Sequence, residues 1–199
     1  MRLFVCGARG STPAPGPEFV RYGGHTSCVG VAADDDERPR LVLDAGTGLQ
    51  RLSRLLDGEA FRGTILLGHL HWDHTHGLPF FAAGDRGDSE VTLILPNQGV
   101  EAEELLGRAI SPPHFPIRPD ELEGSWRFES LEAGETRVEG FSVLALDTLL
   151  TRPQVTRSTR QPSPSLPNSM RSSSTAAGVD RVRSCTSLTN AHPAVRTIP

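Results

Sequence analysis

The feature that most restricts the fold is a series of short, apolar, β-prone runs separated by glycine-rich turns and helical spacings. Several runs are apolar at consecutive positions, which is typical of strands covered on both faces. Leucines at helical spacing follow two of the runs and predict helices there. We therefore expect an α/β fold. The five runs lie at 3–6, 27–33, 40–46, 63–69 and 91–96, and the helical spacings are Leu49, Leu52, Leu55 and Leu56, and Leu105, Leu106 and Ile110.

Two later strands are predicted at 126–131 and 141–147, joined across the turn-prone sequence EAGE. The run at 40–46 ends in Gly-Thr-Gly before a helical pattern, which indicates a strand-to-helix turn.

The composition changes abruptly near residue 148. Residues 1–150 carry 13 Arg and 23 Asp or Glu, whereas residues 151–199 carry 7 Arg, one acidic residue, 9 Ser, 7 Thr, 6 Pro and no aromatic residue. Such a segment cannot bury enough apolar surface to offset its ordering entropy. We expect an incomplete domain over 1–148 and an irregular tail over 149–199.

The tail has two interpretations. It is either a disordered basic tail or the out-of-frame translation of a GC-rich gene. All 20 basic residues of the chain are arginine, which is typical of GC-rich coding. We favour the frameshift, because the pattern is lost inside a strand-like run and natural tails seldom begin within a domain.

Bulk properties exclude several classes of protein. A net charge of −4 argues against a nucleic-acid-coating surface, and no run of about 18 apolar residues predicts a membrane span. The first residues have no signal-peptide pattern. The three cysteines are widely spaced, which favours a reducing compartment over a disulfide framework. We expect a cytoplasmic protein with no membrane partner and no specific nucleic-acid binding.

The stretch GHLHWDHTHGLP concentrates metal-binding side chains at the end of a predicted strand. His69 and His71 share one side of an extended segment, because positions i and i+2 face the same way. Two neutral imidazoles form a good partial shell for Zn²⁺. Asp73 and His74 follow at a turn, where a carboxylate also admits Mn²⁺ or Fe. The spacing predicts a pair of metal positions that together hold and activate a water molecule.

These residues also carry a family resemblance. HLHWDH resembles the signature of the metallo-β-lactamase superfamily, and LDAGTG resembles its upstream motif. The opening GARGSTPAPGPEFVRYGGHTSCVGV and the tract SPPHFPI are similar to ribonuclease Z-like and cyclic-phosphodiesterase-like members. The resemblance covers residues 1 to about 148. It implies the N-terminal half to two-thirds of an αββα sandwich with two Zn²⁺ ions at one edge.

Under this resemblance each motif residue has an implied role. His69 and His71 would ligate the first metal, and Asp73 and His74 the second. Asp73 would also orient or deprotonate the nucleophilic water. Asp44 would hydrogen-bond a metal ligand or shape the loop, although a helix N-cap at the Gly-Thr-Gly turn is an equal alternative.

The family pattern also requires a further His, a bridging Asp and a late His from the C-terminal half. The first of these is expected shortly after the run at 141–147, where this chain reads TLLTRPQV. We therefore expect the later ligands to be missing and the remaining site to bind metal weakly. Half a sandwich would also leave sheet edges and an apolar face open, which predicts poor solubility or self-association.

The function implied is metal-dependent hydrolysis of a phosphodiester, such as a small cyclic phosphate or a nucleotide. Two alternatives stay open: a catalytically impaired fragment that binds metal weakly, and a thioester or lactone hydrolase of the same superfamily.

The remaining histidines are weaker candidates for a functional role. We expect His76 to be a solvated side chain and His114 to belong to loop packing or a cavity rim. His25 either lines the substrate entrance or occupies a turn, and His192 lies in the patternless tail and has no predicted role.

Overall fold

The computed structural model describes residues 1–146 and a short strand at 196–198, all within one unit formed by Met1–Asp147 and Pro193–Pro199. The predicted irregular tail at 149–199 lies outside the described residues except for 196–198, which form a strand. The strands are β1 (Arg2–Gly7), β2 (Cys28–Ala32), β3 (Leu41–Leu43), β4 (Arg62–Leu66), β5 (Glu90–Pro96), β6 (Ser125–Leu131), β7 (Gly134–Val138), β8 (Phe141–Ala145) and β9 (Arg196–Ile198). The α-helices are α1 (Leu49–Leu55), α2 (Trp72–Thr75) and α3 (Ala102–Gly107), and 3-10 turns span Pro17–Phe19, Leu78–Phe80 and Pro119–Glu121. The predicted α/β class is confirmed.

Six strands form one sheet in the order β1-β2-β3-β4-β5-β6, and β7, β8 and β9 form a second sheet. The first three strands of the large sheet are antiparallel, and β3 to β6 run parallel. Parallel neighbours end at the same edge of a sheet, so the loops that follow β3 and β4 emerge side by side.

One face of the large sheet packs against the helices. Val42, Ile65 and Leu93 stand in register on three adjacent strands, and all three are fully buried. They share a core with Leu49 of α1 and Leu106 of α3. Full burial of a side chain such as Ile65 contributes about 1.5–3 kcal/mol to stability.

The opposite face packs against the second sheet. Leu66 and Ile94 are also in register and lie in a separate cluster with Val138 of β7 and Val143 of β8. Because successive strand residues alternate between faces, consecutive apolar residues serve both cores. The expected coverage of both faces is confirmed for the central strands.

The prediction that the strands at 126–131 and 141–147 are joined across EAGE is wrong. β6 instead pairs in parallel with β5, and residues from EAGE begin an additional strand, β7. β7 forms a hairpin with β8, and its two-residue turn is Glu139 and Gly140. Both turn residues have positive φ angles, 49° and 82°, as the tightest hairpin turns require.

β1 forms an edge of the large sheet and leaves Leu3 and Val5 more than half exposed. Within the described residues, no helix combines the length and apolar character needed to cross a membrane.

Candidate metal centre

The histidine-rich motif lies at the edge where β3 and β4 end. The chain leaves β4, extends through His69 and His71, and then enters the single turn of α2. One ligand atom each from His69, His71 and Asp73 lies within 4.8 Å of the other two. Two imidazoles and one carboxylate therefore converge on one point.

The two outer histidines contact each other. Nε2 of His69 lies 3.1 Å from Nδ1 of His71, and the ring centroids are 4.5 Å apart. Burial, together with electrostatic repulsion from the neighbouring imidazoles of His74 and His71, lowers the pKa of His69 to about 4. His69 is thus a neutral imidazole near pH 7, which is the form that ligates a metal.

His74 occupies the buried side of the cluster. Its Nδ1 lies 2.8 Å from Oδ2 of Asp44, and its Nε2 lies 3.3 Å from Oδ2 of Asp73. The side chain is 6% exposed. Burial disfavours the imidazolium, but the hydrogen bond and charge of Asp44, together with Asp73, outweigh it and raise the pKa of His74.

Asp44 lies directly behind His74. Its Oδ2 also accepts a hydrogen bond from Ser27 Oγ at 2.8 Å, and its Oδ1 accepts one from the Gly68 N–H at 3.0 Å. Burial acts to raise the pKa of Asp44, but the hydrogen bonds from His74, Gly68 and Ser27 hold it below its usual value. The alternative that Asp44 caps α1 is wrong, because Gly48 occupies the N-cap position. The contact between Asp44 and His74 is the one expected if Asp44 hydrogen-bonds a metal ligand.

Asp73 is oriented by a residue distant in sequence. The Ser11 N–H donates a 2.7 Å hydrogen bond to Asp73 Oδ2. Burial acts to raise the pKa of Asp73, but this hydrogen bond and the charge of His74 lower it overall. The carboxylate is therefore ionised near neutral pH and available to a cation.

Two glycines let the loop after β3 approach α2 closely. A Cβ on Gly46 would lie 2.2 Å from the Asp73 carbonyl oxygen, and one on Gly77 would lie 2.0 Å from the Gly46 carbonyl oxygen. The Ala45 N–H donates to the His74 carbonyl, and the Gly77 N–H donates to the Ala45 carbonyl, both at 2.8 Å. This backbone contact sets the position of His74 relative to Asp44.

The structure thus brings all four predicted ligands into one cluster. It groups Asp73 with His69 and His71, whereas the sequence prediction paired Asp73 with His74 at a second metal. The assignment of two separate metal positions stays a prediction.

The other histidines lie outside the three-ligand group. His76 is exposed, as expected, and stacks on Trp72 with ring centroids 5.3 Å apart. His114 is exposed and lines a cavity beside α2, in agreement with the predicted rim position. His25 lies beside the isolated bridge between Arg9 and Thr26: its carbonyl accepts hydrogen bonds from the Ala8 and Arg9 N–H groups, and its Nδ1 lies 3.3 Å from Thr47 Oγ1. His192 lies outside the described residues.

Several site residues carry no recognisable sequence signal. Ser11 and Ser27 orient the two carboxylates, yet no motif spacing links them to the histidines. The cavity beside α2 was also not predicted. The sequence signal that could have pointed to this cavity is Trp72, a large apolar residue placed between His71 and Asp73. In the structure its side chain is 68% exposed.

That cavity has a volume of about 610 Å³. Its wall combines aromatic and aliphatic side chains with a few polar groups, and it includes Gln50, Trp72, His76, Phe80, Arg108 and Phe115.

The donor set of His69, His71 and Asp73 fits a divalent metal ion. Catalytic zinc sites use three protein ligands of this kind and keep a fourth position open. The neutral state of His69 and the ionised state of Asp73 suit metal binding. The cluster contains two carboxylate–imidazole contacts, from Asp44 and from Asp73 to His74. Contacts of this kind fix ligand orientation in metal sites.

The sequence matches no protein-family model, and no curated protein matches it.

Proposed function

We propose that this protein is a metal-dependent hydrolase of the metallo-β-lactamase fold that acts on phosphodiesters. The observation that supports this most strongly is the convergence of His69, His71 and Asp73 ligand atoms within 4.8 Å. The layering of helices, a large sheet and a second sheet is compatible with part of an αββα sandwich. The choice of a phosphodiester rests on the resemblance of the N-terminal sequence to ribonuclease Z-like and cyclic-phosphodiesterase-like proteins.

In this proposal each residue of the cluster has its own role in metal binding or proton transfer. His69, His71 and Asp73 hold a divalent ion, Zn²⁺ first and Mn²⁺ or Fe as alternatives. When bound, such an ion supplies Lewis-acid polarisation of a phosphoryl group and lowers the pKa of water. Asp73 orients the attacking water and accepts its proton, and its ionised state suits that role. Asp44 holds His74 against Asp73 and keeps the carboxylate aligned.

The test is hydrolysis of bis(p-nitrophenyl) phosphate by the full chain loaded with Zn²⁺, Mn²⁺ or Fe²⁺. Asp73→Asn should reduce kcat at least about 100-fold, the usual contribution of a positioned acid or base. Asp57→Asn is a matched control, because Asp57 is an exposed aspartate outside the cluster and Asn tolerates its positive φ of 51°. Metal content is measured in the same samples.

Each alternative has its own outcome when the same metal-loaded chain is also assayed with a thioester and a lactone. Well under one metal per chain with no turnover would identify a catalytically impaired fragment. Turnover of thioesters or lactones, with none of the phosphodiester, would identify the other hydrolase class.

The proposal retains two predictions from the sequence. A cytoplasmic location follows from the cysteine pattern. Self-association through the edge strand β1 follows from its exposed Leu3 and Val5, and sedimentation of the full chain at several concentrations tests it.

A further inference from the structure

The two sides of α2 face different surroundings. Trp72, Thr75 and His76 line the cavity, and their spacing of three and four residues places them on one side of the helical turn. Asp73 and His74 lie on the other side, in the metal cluster. A molecule in the cavity is therefore separated from the cluster by the width of a single helical turn.

The cavity presents aromatic faces to solvent. Trp72 is 68% exposed and Phe80 is 57% exposed, although both are large apolar side chains. Each is supported from one side: Trp72 stacks on His76 with an interplanar angle of 15°, and Phe80 meets Phe115 edge-to-face with centroids 5.9 Å apart. Supported aromatic rings with an open face favour stacking with another planar ring.

Among the described residues that line the cavity, Arg108 alone carries a permanent charge. It forms an exposed ion pair with Glu104 at 3.2 Å, and both side chains are about 60% exposed. Exposed pairs of this kind contribute little to stability, so an anionic ligand can compete for the guanidinium. The wall therefore favours an aromatic compound that also carries negative charge.

We propose that this cavity binds a planar aromatic group of the substrate, such as the base of a nucleotide phosphodiester, against Trp72 and Phe80. The substrate role rests on the proposed function, since it needs a phosphodiester at the adjacent metal cluster. The volume of about 610 Å³ lies in the range of small-molecule sites. Gln50 and Arg108 supply hydrogen-bond donors for the polar edge of the ring and for its negative charge.

The test measures binding without catalysis. The metal-free full chain is titrated calorimetrically with p-nitrophenyl phosphate and with methyl phosphate, which share the anion and differ in the ring. We expect the aromatic ester to bind up to about tenfold more tightly, the advantage that a stacked ring provides. Trp72→Ala and Phe80→Ala should each remove most of that advantage, whereas Trp72→Phe should keep it.

Tyr22→Ala is the matched control, because Tyr22 is an exposed aromatic residue outside the cavity. Circular dichroism establishes that each variant is folded. Equal affinity for the two esters, or an aromatic preference that survives both alanine variants, would overturn the proposal.

The two proposals fail separately. An aromatic preference without any turnover by the metal-loaded chain would overturn the hydrolase function and support the cavity as a binding site. Turnover of bis(p-nitrophenyl) phosphate without an aromatic preference would overturn the cavity assignment alone.

Discussion

The histidine cluster has an outer half, formed by His69 and His71, and an inner half, formed by His74, and the two halves differ in the contacts that fix their side chains. His74 is 6% exposed and lies between two carboxylates, and its backbone is bonded to the loop after β3. His71 is exposed, and its ring contacts His69. The inner half is therefore part of the folded core, whereas His71 in the outer half lies at the surface, where a metal ion would organise it. Residues that look equivalent in the motif should thus respond differently to substitution.

The sharpest test of this difference is to remove the carboxylate behind His74. Asp44→Ala should lower the free energy of unfolding by about 3–4 kcal/mol, because it leaves a buried imidazole without its charged partner. Asp44→Asn should cost less, since an amide keeps a hydrogen-bond acceptor and tolerates the positive φ of 62°. Chemical denaturation of the metal-free chain measures both. A loss below about 1 kcal/mol for the alanine variant would mean that the inner half is not a structural unit.

The second test acts on the backbone contact that supports the inner half. Gly77→Ala would place a Cβ 2.0 Å from the Gly46 carbonyl, so the loop and α2 would have to separate. We expect a loss of about 2–3 kcal/mol in the free energy of unfolding, as for other overpacked positions. Gly87→Ala is the control, because a Cβ there meets nothing within 4 Å. If thermal unfolding shows the two variants to be equally stable, the close approach does not hold the site.

The smallest effect on stability should come from the outer half. His71→Ala should change the free energy of unfolding by less than about 0.5 kcal/mol, because the side chain is exposed. It should nevertheless weaken Zn²⁺ binding at least about tenfold, as loss of even a supporting residue does in metal sites. His114→Ala, another exposed histidine, should leave the Zn²⁺ affinity unchanged. A competition titration with a chromophoric chelator measures this affinity. Equal affinities in the two variants would exclude His71 as a ligand.

Much of the fold could be predicted because burial leaves a pattern in the sequence. The runs that became β1 to β6 are apolar and β-prone, and Leu49 and Leu52 mark α1 by their helical spacing. β7 was missed because its sequence, GETRV, has little apolar character and depends on the Glu139–Gly140 turn for its pairing. Because this turn pairs β8 with β7, β8 does not pair with β6.

The sequence predicted which residues form the cluster, but the distances among them come only from the structure. The spacing of His69, His71 and Asp73 indicates a metal cluster, yet spacing does not show which ligands share one position. That depends on where α2 begins and on the Ser11 contact that orients Asp73. Neither is encoded locally, since both arise from how separate parts of the chain meet.

The hydrogen bond from Ser11 to Asp73 has a consequence for the order of folding. It joins residues 62 positions apart, neither of which lies in a strand. We therefore expect the sheet to form whether or not the carboxylate is aligned, so that assembly of the core and alignment of the site are separable events. Hydrogen exchange at the Ser11 amide should report on alignment of the site, and exchange in β4 should report on assembly of the sheet.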